Sequence, residues 1–166
     1  SPTNDLIDWT GVPRKDEAWD ALGQRKKEDL KRPKDIKGLM RQCHNKLHGR
    51  GVDGDEDDLT MDMVRLILAK AMDEERANEY CEFYCTPEEY RTEEGRDAVA
   101  SRVHSLFAQA RSNNSDVFSE HEKISVGSRS ICDVVIELQR YRLLSDLHES
   151  EDWDIMGHAY EQYTST

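Results

Sequence analysis

Leu59–Arg76, LTMDMVRLILAKAMDEER, is the stretch whose reading decides the fold. Leu59, Met61, Met63, Val64, Leu66, Ile67, Leu68, Ala69, Ala71 and Met72 fall within its first fourteen positions. The run is too long for a strand, and too rich in Met, Leu and Ala. Thr60 is placed to cap its start. Asp62 then lies in the first turn, where the positive end of the helix dipole favours an acid. Apolar residues cover most of the helix circumference through the middle. A helix of that kind must be wrapped by others.

The flanking sequence supplies the wrapping. Pro33–His48 reads as a helix with Pro33 at its first position. Ile36, Leu39, Met40, Cys43 and Leu47 share one face, and Gly49 and Gly51 stop it. Thr86-Pro87-Glu88-Glu89 is a capping-box start, and Thr92-Glu93-Glu94 is a second. The helix that follows presents Val99, Val103, Leu106, Phe107 and Ala110. Asp116–Val126 is a connector offering Phe118, Ile124 and Val126 to the core. Ser128 or Ser130 then caps a helix with the stripe Ile131, Val134, Val135, Leu138 and Tyr141. The expected architecture is all-α, an irregular helical bundle around a central buried helix at about 59–76. Residues 1–32 form a lead-in with a charged helix over 14–32, and 33–166 form the helical domain. Trp153–Tyr163 reads as a last, aromatic helix.

Composition narrows the function. The chain is 36% hydrophobic and 35% charged, which fits helices with heavily charged outer faces around a real core. A net charge of −12 makes it a poor general DNA binder over most of its surface. Arg25–Arg50 is the one notably basic stretch. Lys31, Arg32, Lys34 and Lys37 precede Arg41, Lys46 and Arg50, and a DNA or partner contact is expected at Lys34, Lys37, Arg41, Lys46 and Arg50, the place for any phosphate contact, against the alternative of a solvated helix face. The four cysteines show no disulfide framework, which points to a reducing, cytoplasmic setting. No apolar run approaches the roughly 20 residues of a membrane span.

No catalytic, cofactor or metal residue is assigned. The acidic loop from Asp53 has Asp58 and Val64 where an EF-hand needs Gly and Glu. His44 and His48 share a helix face, but Cys43, Cys81 and Cys85 lack zinc-ligand spacing. Asp29-Leu30-Lys31 and Asp35-Ile36-Lys37 have the spelling of a nuclease strand in helical surroundings. No nucleophile elbow or phosphate-cradling glycine loop is present.

Four stretches form an ordered set: Leu39–Gly49, Leu66–Arg76, Val103–Ala110 and Leu138–Tyr163. The second contains Ala69-Lys70-Ala71-Met72-Asp73-Glu74, and the last contains Asp154-Ile155-Met156-Gly157-His158-Ala159-Tyr160-Glu161. The set resembles the helical domain that precedes the catalytic domain in DNA adenine methyltransferases of restriction-modification systems. The likeness is to type I modification subunits and fused restriction-methylase polypeptides. It implies a non-catalytic module that helps position DNA, or a specificity or restriction subunit, for S-adenosylmethionine-dependent methylation. It also implies a catalytic domain after this segment, with Trp153, Tyr160 and Tyr163 at the junction. The family's Asn-Pro-Pro-aromatic motif, which holds a flipped adenine, has no counterpart here, since prolines stand only at 2, 13, 33 and 87. The alternative expectation is a free-standing acidic interaction module or DNA mimic, motivated by the net charge.

Overall fold

Asp35 starts the first helix. Its carbonyl accepts the Leu39 N–H and its carboxylate the Gly38 N–H, both at 3.0 Å. The computed structural model describes residues 23–49, 56–116 and 118–144. Five helices occupy them: α1 Ile36–Gly49, α2 Glu56–Glu75, α3 Pro87–Arg91, α4 Glu93–Asn113 and α5 Ser128–Leu138. Among the described residues the sole β-type pairings are two isolated bridges, Lys26 with Tyr80 and Lys31 with Tyr141. The all-α expectation holds.

The central helix is wrapped as its composition requires. From Leu59 to Glu74 no residue is fully exposed. α2 packs chiefly on α4, and also on α1; α5 packs on both α1 and α4. Their shared core includes Leu39, Cys43 and Leu47 of α1, Leu66 and Ile67 of α2, Val103 and Phe107 of α4, and Ile131 and Val135 of α5. Phe118, Ile124 and Val126 of the connector are buried with them. Phe107 and Phe118 meet edge to face, with ring centres 5.7 Å apart.

Several helix starts differ from the sequence reading. α2 begins at Glu56, so Glu56, Asp57 and Asp58 form its first turn rather than a loop, where the dipole favours acids. Thr60 is therefore interior, with its hydroxyl 3.4 Å from His44 Nε2, and does not cap. Asp62 is buried beyond the first turn. Its carboxylate accepts from Ser125 and Val126 N–H at 3.0 and 2.9 Å and from Arg65 at 2.6 Å. Pro33 lies ahead of α1, because Asp35 closes the first turn. α5 is capped by neither Ser128 nor Ser130. Gly127 is its N-cap, the Ser128 hydroxyl donates to Asp97, and Ser130 is buried. Of the charged helix expected over 14–32, the described part, from Gly23, is a single 3-10 turn at Lys27–Asp29 in extended chain. Its backbone bonds elsewhere: Cys81 N–H donates to Arg25 C=O, and Lys27 N–H to Glu79 C=O.

Both threonine starts operate. Thr86 and Glu89 form a reciprocal capping box for α3, and the Thr92 hydroxyl accepts the Gly95 N–H at the start of α4. A Cβ on Gly95 would sit 2.3 Å from the Glu89 carbonyl oxygen and 2.5 Å from Glu89 Cα. Glycine is what lets α3 and α4 turn so sharply together.

After α2 the chain is irregular, and Asp73 organises it. Its carboxylate accepts the Glu82 and Phe83 N–H groups at 3.0 Å. Asp73→Ala leaves both without that acceptor, at about 1–3 kcal/mol each. A drop in melting temperature of roughly 6–12 °C is expected, with a smaller drop for Asp73→Asn, which keeps an acceptor oxygen. Calorimetry showing equal melting for Ala and wild type would remove Asp73 from this role.

Candidate nucleic-acid interface

On α1, at 100° per residue, the buried stripe Leu39, Cys43 and Leu47 takes one side. Lys37 and Arg41, one turn apart, lie together on one flank and are exposed. Lys34, just ahead of the helix, is exposed as well. Lys46 lies on the other flank, where its Nζ is 3.2 Å from Glu137 Oε2 of α5. The structure thus groups Lys37 with Arg41 and separates Lys46 from them. Arg50, Trp153, Tyr160 and Tyr163 lie outside the described residues.

The tertiary structure adds a cation that linear reading did not associate with this stretch. Lys31 N–H donates to Arg140 C=O at 2.9 Å, and Arg142 N–H to Lys31 C=O at 2.7 Å. Residues 140–142 therefore lie alongside the basic segment. The signal was present in the run Gln139-Arg140-Tyr141-Arg142, but nothing local pairs it with Lys31. Arg142 donates to Lys27 C=O at 3.0 Å, while Arg140 is exposed.

The segment is anchored beneath by buried ions. Glu74 accepts the Leu143 and Leu144 N–H groups at 2.9 and 2.7 Å, and Lys70 Nζ lies 3.0 Å from the same carboxylate. Lys70 also stands over the Phe83 ring at 5.5 Å. Gln139 accepts the Cys85 N–H at 2.9 Å. The loop before α3 is clamped by Arg102, which reaches Tyr84 C=O at 2.7 Å, both Glu89 oxygens at 2.9 and 3.1 Å, and the Tyr84 ring face at 4.0 Å.

Of the residues weighed for metal or thiol chemistry, the cysteines are buried, while His44 is half-buried and His48 exposed. All four cysteines are buried free thiols. Burial pushes Cys43 up to about 12 and Cys81 up to about 11. Cys85 Sγ donates to Thr86 C=O at 3.6 Å and Cys132 Sγ to Arg96 C=O at 3.9 Å, and the influence of each thiol on the other lowers that of Cys85 and raises that of Cys132. His44 and His48 rings meet at 4.6 Å. Among the described residues no three His, Cys, Asp or Glu side chains gather as a metal site. No described helix is long and apolar enough to cross a membrane.

No family model, curated protein or solved structure matches the chain.

Glu89 gives the clamp a pH signature. Burial would raise its carboxyl, but the hydrogen bonds from Arg102 and Thr86 and the Arg102 charge hold it below its ordinary value. A carboxylate depressed on folding stabilises above its unfolded value, about 4.3, and that contribution is lost as pH falls through the folded value. Glu89→Gln is expected to lower the melting temperature at pH 7 and flatten its fall below about pH 4.3. Parallel acid limbs for both proteins would show that the clamp does not carry this linkage.

Proposed function

We propose that this chain is the non-catalytic helical domain of a site-specific DNA adenine methyltransferase of a restriction-modification system. In this reading it positions DNA, or a specificity or restriction subunit, for a catalytic domain that uses S-adenosylmethionine. The enzyme works in the cytoplasm, where the four thiols stay reduced.

One observation carries the reading. Three of the stretches that bear the family resemblance lie in α1, α2 and α4, and the fourth begins at the end of α5. Its first residues are held by Glu74, at the end of the second stretch. Glu74 thus ties the end of the second stretch to the start of the fourth. In this reading a domain that follows is positioned relative to α1 and its exposed cations through that tie.

Two variants of the full methyltransferase test this. One lacks residues 23–144, and the other carries a flexible Gly-Ser-Gly-Ser insert after Leu144 that leaves the bundle intact but frees its angle. Transfer of labelled methyl groups to duplex DNA is expected to lose kcat/KM at least tenfold in the deletion and by a smaller factor with the insert. Unchanged efficiency in both counts against a positioning role. The acidic-module reading gains if the isolated chain then inhibits a DNA-binding enzyme stoichiometrically.

A further inference from the structure

Between Arg25 and Lys46 the chain carries nine Lys or Arg and three Asp or Glu, against a net charge of −12 for the whole. Several of these cations are spoken for. Arg25 is buried. Lys26 pairs with Glu79 at 3.3 Å, Lys27 donates to Arg76 C=O, and Lys46 pairs with Glu137. Arg32 makes an interaction of its own. Lys31, Lys34, Lys37 and Arg41 remain exposed, and the ion pairs of the described residues do not include them. Of the flanking acids, Asp35 has its carboxylate on the Gly38 N–H. The bridge between Lys31 and Tyr141 brings exposed Arg140 to the same edge.

We propose that Lys31, Lys34, Lys37, Arg41 and Arg140 form one cationic ridge that binds the phosphate backbone of duplex DNA. Charge complementarity selects the ligand. In a chain whose net charge is −12, five exposed cations at one edge offer a polyanion its complement. Reach also fits. From Lys31 the chain passes a bend at Lys34 and enters α1 at Ile36, so Lys31 and Lys37 lie within the about 20 Å that six residues can span, the length of roughly six base pairs at 3.4 Å each. Backbone hydrogen bonds set Arg140 against Lys31, so the ridge does not have to be assembled on binding. The contact is to phosphates and positions DNA without reading its sequence. The inference rests on the proposed function only for the identity of the polyanion.

The test is a fluorescence-anisotropy titration of the 166-residue chain with a labelled 20-base-pair duplex at several salt concentrations. Five phosphate contacts predict log Kd rising with log salt at a slope approaching about 4.5. K31Q/R140Q and K37Q/R41Q are each expected to make that slope shallower by about 2. Exposed Lys123 lies in the connector before α5, and K123Q is expected to bind as wild type does. Circular dichroism establishes that the variants remain folded. Binding without salt dependence, no binding at low salt, or K31Q/R140Q indistinguishable from wild type overturns the ridge. The outcome is separable from the methyl-transfer experiment. A ridge that binds DNA in a module whose deletion leaves methylation intact refutes the positioning role alone. Loss of methylation on deletion with no DNA binding by the chain refutes the ridge alone.

Discussion

The carboxylates buried along α2 are the constraint on which the structure depends. An all-but-enclosed helix carries Asp62, Asp73 and Glu74 into surroundings where an unpaired charge would cost several kcal/mol. Each is satisfied by backbone N–H groups from a segment outside the helix: 125–126 for Asp62, 82–83 for Asp73 and 143–144 for Glu74. Arg65 and Lys70 supply the countercharges. The dependence is mutual, since those segments have no strand partner and their N–H groups find acceptors on the helix. Three irregular segments are thereby tied to one helix, one in its first half and two at its C-terminal end.

This arrangement explains how a chain that is 35% charged holds a well-packed interior. The apolar faces of α1, α4 and α5 supply the burial, while the loops between them are located by charge-assisted hydrogen bonds. Arg102 repeats the device outside α2. Its guanidinium joins two loop carbonyls, a capping-box glutamate and a tyrosine face, which ties the turn before α3 to the middle of α4. The same economy places the cations. Backbone pairing of 31 with 140–142 needs residues 143–144 to be held, and Glu74 holds them. The route from the Glu74 carboxylate to Arg140 is therefore short, running through the Leu143 and Leu144 N–H groups and the backbone pairing at Lys31.

The elements that were legible were those with strong local signals. Two threonine starts before α3 and α4, the one-sided stripe of α1 and the apolar excess of Leu59–Met72 all depend on neighbours within about four residues, and each produced its helix. The acidic residues before Leu59 were misread because Asp and Gly in a run look like a loop. In the fold the last three acids extend α2 by a turn, where its dipole favours them. The charged stretch before Pro33 was misread for a different reason. Its composition permits a helix, but from Arg25 to Lys31 its backbone groups are taken by residues 79–81 and 140–142.

By itself, then, the sequence determined the helical class, the buried central helix and the basic stretch over Arg25–Arg50, because period, capping and charge are local properties of a chain. Only the tertiary structure decided which cations act together. Lys46 was drawn off by Glu137, Lys26 by Glu79, and Arg140 was brought in by the bridge at Lys31. It also decided that the acids of α2 are structural ties instead of a solvated face. The cation pairings span 53 to 109 residues and the carboxylate ties 9 to 70, and no periodicity in the sequence encodes such a pairing.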